Sequence, residues 1–420
     1  MQSLKINDDF FNFIERNKDA DVSSLLLKYH NSPLHFDLQL ALIQIECRKK
    51  HKNKLKHFFS SPKTIIPDKS VAEQSSNEII SSYHSSLISK NDRILDMTAG
   101  LGIDSIAFSE KCNEIDAFEL SQNRACALKH NARFLGKNNI KVFNRDSVEY
   151  LTKVANLTYD AIFVDPARRD SSNNRIFKLS DSLPNIIENQ SLIKSKCKRF
   201  FIKASPLLDI SQTLKDISDI VSIRVICLKG ECKEVLIEVL GIATDLEKNN
   251  QNKNETTQII GIDIDNDGEI ISNFSMFLSS DSKELLPKKQ KPYNIAEISD
   301  LKSGSFIYEP NAAIMKIQPW EVISERYPTL KKFSSSSHLF VSDDYFPDFP
   351  GRITRFEKLL NKKELKSLKG FAASVVSRNH PQSPENIRKS YALKESDQNF
   401  IYATKIGTRP LLFLSIKNSL

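Results

Sequence analysis

The chain has no long hydrophobic run. Nothing in its 420 residues approaches the roughly 18 to 20 consecutive apolar residues needed to cross a bilayer, and the opening Met1-Gln-Ser-Leu-Lys-Ile-Asn-Asp-Asp9 has no apolar core of the kind that directs secretion. No membrane association is expected, and a cytoplasmic location is predicted. Cysteine is scarce and scattered: Cys47, Cys112, Cys126, Cys197, Cys227 and Cys232 include no C-x-x-C pair. Neither a zinc site nor a disulfide framework is indicated, no metal is expected, and most of the cysteines read as small buried hydrophobes. Charge of one sign is also limited. Sixty Lys and Arg against 52 Asp and Glu leave +8, a mild bias towards anionic partners that decides nothing alone. No internal repeat is visible. What is present is 40% hydrophobic residues, ample for globular folding, in a length that suggests two to four domains at roughly 100 to 200 residues each.

Residues 1–65 show helical periodicity, as in Phe10, Phe11, Phe13 and Ile14, and again in Leu38, Leu40, Ala41, Leu42 and Ile45. This helical N-terminal segment ends in a basic run from Arg48 to Lys56, which is either a solvated helix face or an anion-binding patch. From Asp92 the rhythm changes to short apolar strands alternating with helical stretches, the signature of a mainly parallel sheet covered by helices. Strands are expected at Arg93 to Met97, Glu114 to Leu120, Ile140 to Asn144, Ala161 to Asp165, Arg199 to Ala204, Val221 to Leu228 and Lys233 to Leu240. Only Lys229-Gly230-Glu231-Cys232 separates the last two, too few residues for a crossover helix, so they must form an antiparallel hairpin. This domain is placed at 66–245. The polar run from Glu247 to Glu255 cannot bury a core and reads as a linker. A small α+β unit is placed at 256–335, with strands near Ile259 to Ile264 and Glu269 to Ile271 joined by an Asn266-Asp-Gly268 turn, and a helix from about Asn311. A compact terminal unit is placed at 338–420, with a helix expected near Thr354 to Leu360 and another from Pro384. From 341 onward there are 14 Lys and Arg against 8 Asp and Glu, so most of the excess positive charge lies in the tail.

The chemistry is concentrated at strand ends. Asp96-Met-Thr98-Ala99-Gly100-Leu-Gly102 follows the first strand and turns through two glycines, which lets backbone pass close to a ligand, and a helix is expected from near Ser105. A dinucleotide fingerprint would put a third glycine where Ser105 stands. The negative charge of Asp96 would repel a pyrophosphate but favour a zwitterionic amino acid or a sulfonium. Glu119 ends the second strand, where a carboxylate can take both ribose hydroxyls; a plain solvated acid is the alternative. Asp146 or Ser147, after the third strand, either contacts a base or caps the following helix. Asp165, at the end of the fourth strand, is followed by Pro166-Ala-Arg168-Arg169, and carboxyl ends of strands are where open α/β sheets place functional groups. Gln74-Ser75-Ser76 reads as a helix start that either closes over a cofactor or caps. In the tail, Arg352, Arg355, Arg378, His380, Arg388 and Lys389 stand among Phe356, Phe371 and Tyr391, an interleaving that suits single-stranded RNA unless the aromatics belong to the core. Trp320 reads as an anchor at a helix start.

On these motifs the stretch from about Ala72 to Gly241 resembles the class I S-adenosylmethionine-dependent methyltransferases. Asp96 to Gly102 matches that family's first motif, Glu119 its ribose-binding acid, Asp146 its adenine-binding acid and Asp165-Pro-Ala-Arg168 its substrate-side motif. The whole layout is similar to a bacterial group with a ferredoxin-like middle unit and a THUMP-like C-terminal domain. The resemblance implies an α/β, Rossmann-like sheet of seven strands, the last antiparallel, with an N-terminal helical segment and small α+β C-terminal domains. It implies S-adenosylmethionine as cofactor, held by Gln74, Ser75, Asp96, Thr98, Ala99, Gly100, Gly102, Glu119, Leu120, Asp146, Ser147, Asp165 and Pro166, with Asp165 and Arg168 as catalytic residues. It implies an RNA substrate, recruited by the basic tail, in a protein expected to be a monomer. Where many base-amine methyltransferases carry a second proline and an aromatic, this chain has Ala167 and Arg168, which leaves the methylated atom open. Asp165 would accept a hydrogen bond or a proton from the substrate, while Arg168 and Arg169 either hold phosphate or pair with neighbouring acids. Methylation of a protein or small metabolite, with the tail as a lid, is a second reading. A non-catalytic RNA-binding module is a third, and the four aligned acids speak against it.

Overall fold

A computed structural model describes residues 6–167, 178–242, 256–279, 294–334 and 336–418. The N-terminal segment is helical, as its periodicity predicts: α1 (Asp8–Arg16), α2 (Val22–Tyr29) and α3 (Leu38–His51). Each starts at an Asn or Asp whose side chain accepts a backbone N–H two or three residues into the helix: Asn7, Asp21 and Asp37. Their apolar faces close a small core around Phe10, Ile14, Ala41 and Ile45. The segment is tied to the rest through the backbone of Ile65 and Ile66. The buried Gln44 amide exchanges two hydrogen bonds with Ile66, and Asn131 exchanges two with Ile65. The polar groups of this buried crossing are thereby paired, which is what allows an irregular stretch to be buried.

Two short helices, α4 (Lys69–Gln74) and α5 (Glu78–Ser86), lead into the first sheet. Its strands are β1 (Arg93–Asp96), β2 (Glu114–Phe118), β3 (Ile140–Phe143), β4 (Tyr159–Val164), β5 (Cys197–Ala204), β6 (Ile220–Leu228) and β7 (Glu231–Leu240). Between them run α6 (Ile103–Phe108), α7 (Gln122–Phe134), α8 (Ser147–Leu151), α9 (Ile186–Lys196) and α10 (Ile210–Asp216). The spatial order is β3-β2-β1-β4-β5-β7-β6, with β7 antiparallel to both of its neighbours, as the short hairpin connection requires. Burial on both faces explains the near-continuous apolar strands. One face packs Ile94, Ala161, Phe163 and Phe201 against α5 and α6, and the other packs Leu95, Ile162, Phe200 and Ile202 against α9 and α10.

Two more strands extend this sheet beyond the seven expected. β8 (Thr256–Ile264) pairs parallel with β6, and β9 (Ile270–Ser279) closes the edge as an antiparallel hairpin through the predicted Asn-Asp-Gly turn. Hydrogen bonding thus continues from one side of the polar run at 247–255 to the other. The following helices, α11 (Ala312–Ile317) and α12 (Trp320–Arg326), dock on this extension. Gly261 makes room for α11: a Cβ there would lie 3.0 Å from both Ala313 Cβ and Ile317 Cδ1. The Asn311 amide at the start of α11 bonds Ser272 on β9 at 3.0 Å.

The second sheet has the order β11-β12-β10-β13-β16-β15-β14 and draws on both C-terminal stretches. Its members are β10 (Phe306–Pro310), β11 (Lys331–Lys332), β12 (Phe340–Ser342), β13 (Gly351–Leu360), β14 (Ser374–Ser377), β15 (Asn399–Ile406) and β16 (Arg409–Lys417). Helices α13 (Lys362–Ser367) and α14 (Pro384–Ser390) complete the tail. The helix expected near Thr354 to Leu360 is instead strand β13. Thr354 and Phe356 are buried in strand alternation, then a bulge between Phe356 and Lys358 shifts the register, and the next buried residue, Leu360, packs in a different core from Phe356. The resulting spacing of four between Phe356 and Leu360 imitates a helical repeat.

Candidate active site

The carboxyl ends of β3, β2, β1 and β4 lie side by side in the sheet, so Asp146, Glu119, Asp96 and Asp165 come to one edge. Between them the chain turns through Gly100 and Gly102, both at positive φ, +56° and +84°. Gly102 starts α6 in the left-handed region, and a Cβ on it would sit 2.1 Å from Leu128 Cδ1 of α7, so only glycine fits. A Cβ on Gly100 would lie 3.8 Å from Val71 of α4, which places that short helix beside the turn. The expectation of a helix start at Gln74–Ser76 is corrected: Gln74 ends α4, Ser75 is its C-cap, and Asn77 caps α5. Gln74 and Ser75 nonetheless end the helix that flanks Gly100.

The acids are used differently from one another. Asp96 is buried and accepts from Thr98 N at 3.1 Å and from Ser105 Oγ at 2.5 Å, so its carboxylate braces the turn from beneath. Ser105, standing where a third glycine would be, is therefore part of the same turn. Burial pushes the Asp96 carboxyl up to about 7, against the Ser105 hydrogen bond and with help from the charge of Asp104. Glu119 receives Gly100 N at 3.1 Å and Ser121 N at 2.7 Å and so ties the glycine turn to the end of β2. Asn144 holds the next step, donating to the carbonyls of Glu119 and Leu120, both at 2.9 Å. Leu120 is left 71% exposed, an apolar surface at the mouth of the crevice. Asp146 caps α8, accepting Val148 N and Glu149 N on Oδ1, and Ser147 is buried at the first position of that helix. Thr98 Oγ1 accepts Asp165 N at 2.8 Å, joining the first motif to the fourth strand. Ala99 N is bonded to Phe118 O, and Pro166 is buried before Ala167, which pairs with Leu183. Arg168 and Arg169 lie outside the described residues.

Beneath Asp165 is a cluster that the motifs did not announce. Lys203 on β5 donates to Asp165 Oδ2 and to Ser76 Oγ, both at 2.5 Å, and lies 3.7 Å from Asp104 Oδ2. Asp104 also receives Ser76 Oγ, Ser81 Oγ at 2.7 Å and His84 Nδ1 at 2.9 Å. The other ring nitrogen of His84 meets Glu234 Oε1 of β7 at 2.5 Å. Burial disfavours the imidazolium, but Glu234 and Asp104 on either side outweigh it and raise His84 to about 9. Burial likewise works against Asp104 and Glu234, yet Lys203 and His84 hold Asp104 well below the usual carboxylate range, and His84 lowers Glu234 as well. The available signal was a charged residue inside an apolar run, as in Phe200-Phe201-Ile202-Lys203-Ala204. Buried charges persist only when paired.

The donor set fits a nucleoside carrying an amino-acid arm: carboxylates at two adjacent strand ends, an exposed leucine beside one of them, and a glycine turn that admits close backbone approach. Elsewhere most of the candidate contacts have partners within the protein. In the basic run, Arg48 bonds the carbonyls of Pro62 and Thr64, Lys49 that of Ala20, Lys54 those of Ala72 and Glu73, and Lys50 pairs with Glu73. The run thus fastens the N-terminal helices to α4 and to the segment before it. In the tail, Arg352 and Arg378 pair with the buried Glu309, Arg388 pairs with Glu395, and Phe356 belongs to the core. Phe371 and Tyr391 pack on a second small core, and His380 Nδ1 accepts Gln382 N in a turn. Trp320 starts α12 and is buried, as its position predicts. Among the described residues no group of three or more His, Cys, Asp or Glu is placed to hold a metal ion, and no helix is long and apolar enough to cross a membrane.

Comparison with known proteins agrees with this geometry. Residues 91–240 match the model of the RNA cap guanine-N2 methyltransferase family, 306–350 a ferredoxin-like domain and 352–416 a THUMP-like domain. A ribosomal RNA small subunit methyltransferase D from Buchnera aphidicola is 30% identical over 106 residues, 25% of this chain. The chain spans about half of that relative's length, 52%. A crystal structure of a candidate methyltransferase from Porphyromonas gingivalis W83 superposes with a TM-score of 0.79 at 24% identity, over 98% of both chains, which establishes the shared fold from end to end. The chain thus joins a Rossmann-like methyltransferase domain to a ferredoxin-like and a THUMP-like domain.

Proposed function

We propose that the chain transfers a methyl group from S-adenosylmethionine to a base in a structured RNA, in the cytoplasm. One observation carries this reading: four adjacent parallel strands deliver Asp146, Glu119, Asp96 and Asp165 to a single edge around the Gly100–Gly102 turn. Glu119 is suited to the ribose hydroxyls, Asp146 to the adenine amine and Leu120 to the adenine face. The two glycines, with Thr98 and Ala99, leave room for the methionine arm, and Gln74 and Ser75 flank it. S-adenosylmethionine supplies a methyl group already activated on a sulfonium, so the protein's tasks are alignment and exclusion of water. Asp165, next to Pro166 and partly open to the crevice, accepts the hydrogen bond or proton of the substrate group that is methylated. The RNA part of the reading is supported by the names attached to residues 91–240 and to the curated relative, and by the THUMP-like tail with its excess positive charge.

Calorimetry with S-adenosylmethionine and its homocysteine product, followed by transfer of tritiated methyl into total RNA from a strain lacking the gene, tests both halves. Binding abolished by Glu119→Ala and label in RNA are the expected results. Absence of binding to the wild-type chain removes the reading, and label in protein or small metabolites alone moves the substrate assignment away from RNA.

A further inference from the structure

The buried groups under the crevice form a line of alternating charge. Asp165 stands at the end of β4, Lys203 on β5, Asp104 on α6, His84 on α5 and Glu234 on β7, each in contact with the next. Ser76 bridges Lys203 and Asp104, and Ser81 adds a hydroxyl to Asp104. Burial is almost complete everywhere except at the crevice end, where the Asp165 side chain is 22% exposed against 2% for Lys203. A lone ammonium in such a place would lose its proton or find water, so the line fixes where the Lys203 charge sits. That charge in turn takes Asp165 Oδ2, while the Asp165 backbone is held by Thr98.

Resting on the methyl-transfer reading above, we propose that Lys203 is the positioning residue for Asp165. It grips one carboxylate oxygen from inside the sheet, fixes the rotation of the group towards the reacting atom of the substrate, and is itself held in place by Asp104, His84 and Glu234. Orientation of this kind is costly to lose, because a displacement of about 1 Å at a reacting group costs on the order of 100-fold in rate. Lys203 lies behind the carboxylate, so its removal acts on turnover and leaves cofactor binding in place. Arginine at 203 keeps the charge but offers a planar fork in place of a compact ammonium, so it restores only part of the rate.

The test compares the full-length wild type with Lys203→Met, Lys203→Arg and Ser76→Ala. In Lys203→Met, single-turnover methyl transfer at saturating RNA falls about 100-fold while the affinity for S-adenosylmethionine stays within about threefold and KM for RNA is unchanged. Lys203→Arg recovers part of that loss. A ligand-free readout accompanies it: the side-chain carboxyl ¹³C resonance of Asp165, assigned by its loss in Asp165→Asn, moves in Lys203→Met. Equal rates in wild type and Lys203→Met, or an unmoved Asp165 resonance, overturn the proposal. If Lys203→Met does not fold by circular dichroism, Ser76→Ala decides. It keeps all five charges and removes only the hydroxyl that joins Lys203 to Asp104, so it slows transfer without weakening cofactor binding, and an unchanged rate overturns the proposal. A wild-type chain that binds no S-adenosylmethionine defeats the functional reading instead, and the carboxyl resonance still decides whether Lys203 positions Asp165.

Discussion

The two sheets each bury a carboxylate–cation cluster, and the clusters are turned opposite ways. In the first, the lysine is inside and the carboxylate of Asp165 opens to the crevice. In the second, Glu309 is inside, 9% exposed, and its partners Arg352 and Arg378 stand 47% and 42% exposed, with Tyr402 OH completing the carboxylate's contacts at 3.3 Å. The same ingredients therefore present an acceptor in one domain and guanidinium donors in the other. An outward carboxylate suits a group that gives up a proton, while outward guanidinia suit phosphate oxygens. The difference is one of charge orientation: the first sheet turns an acceptor to the crevice, the second turns two guanidinia outward.

The largest expected effect is on turnover. Asp165→Asn keeps the shape and the Thr98 contact but removes the acceptor charge, and it lowers single-turnover transfer by about 10²- to 10⁴-fold with cofactor affinity retained. A variant that turns over normally would erase the distinction between the two clusters. Stability comes next. Glu234→Ala removes one of the two carboxylates that flank the His84 imidazolium in a sealed interior, breaking a buried ion pair, and costs about 3–5 kcal/mol in urea titration. Glu309→Ala leaves two arginines that already reach water, and it costs about 1 kcal/mol. Equal losses at the two sites would show that exposure of the partner does not set the penalty.

A pH series sharpens the same contrast. His84 is raised from 6.5 to about 9, so its contribution to stability is complete below 6.5 and is lost as the pH rises through 9. Urea midpoints of the wild type should fall over that window, and His84→Asn should flatten the fall; identical profiles would remove the imidazolium from the line. The smallest effect is expected in the tail. Arg352→Ala with Arg378→Ala weakens RNA binding and reduces the log–log salt slope by about 0.7 for each phosphate that is no longer neutralised. An unchanged slope would make both arginines purely structural partners of Glu309.

Much of the first sheet is legible in the sequence because its signals are local. Apolar runs ending in Asp96, Glu119 and Asp165 mark both the strands and their functional ends, and the four residues expected between the last two strands are too few for anything but a hairpin. The strand β13 reads as a helix because, past the bulge, its next buried residue after Phe356 is Leu360, four positions on and packed in a different core. The uses of the arginines are hidden for another reason. Arg352 and Arg378 look like a basic surface until β10 is placed beside β13, which brings Glu309 opposite Arg352.

The sequence by itself determined the succession along the chain of the first seven strands of the first sheet, the glycine turn and the acids beside it, since turn chemistry and the apolar period act over a few neighbouring residues. Folding alone decided the partnership of Lys203, Asp104, His84 and Glu234. His84 and Glu234 are 150 positions apart and touch only because α5 lies across a sheet in which β7 was inserted next to β5. The physical reason is desolvation: a charge is tolerable inside only beside its opposite, and which opposite is nearest is a property of packing in three dimensions.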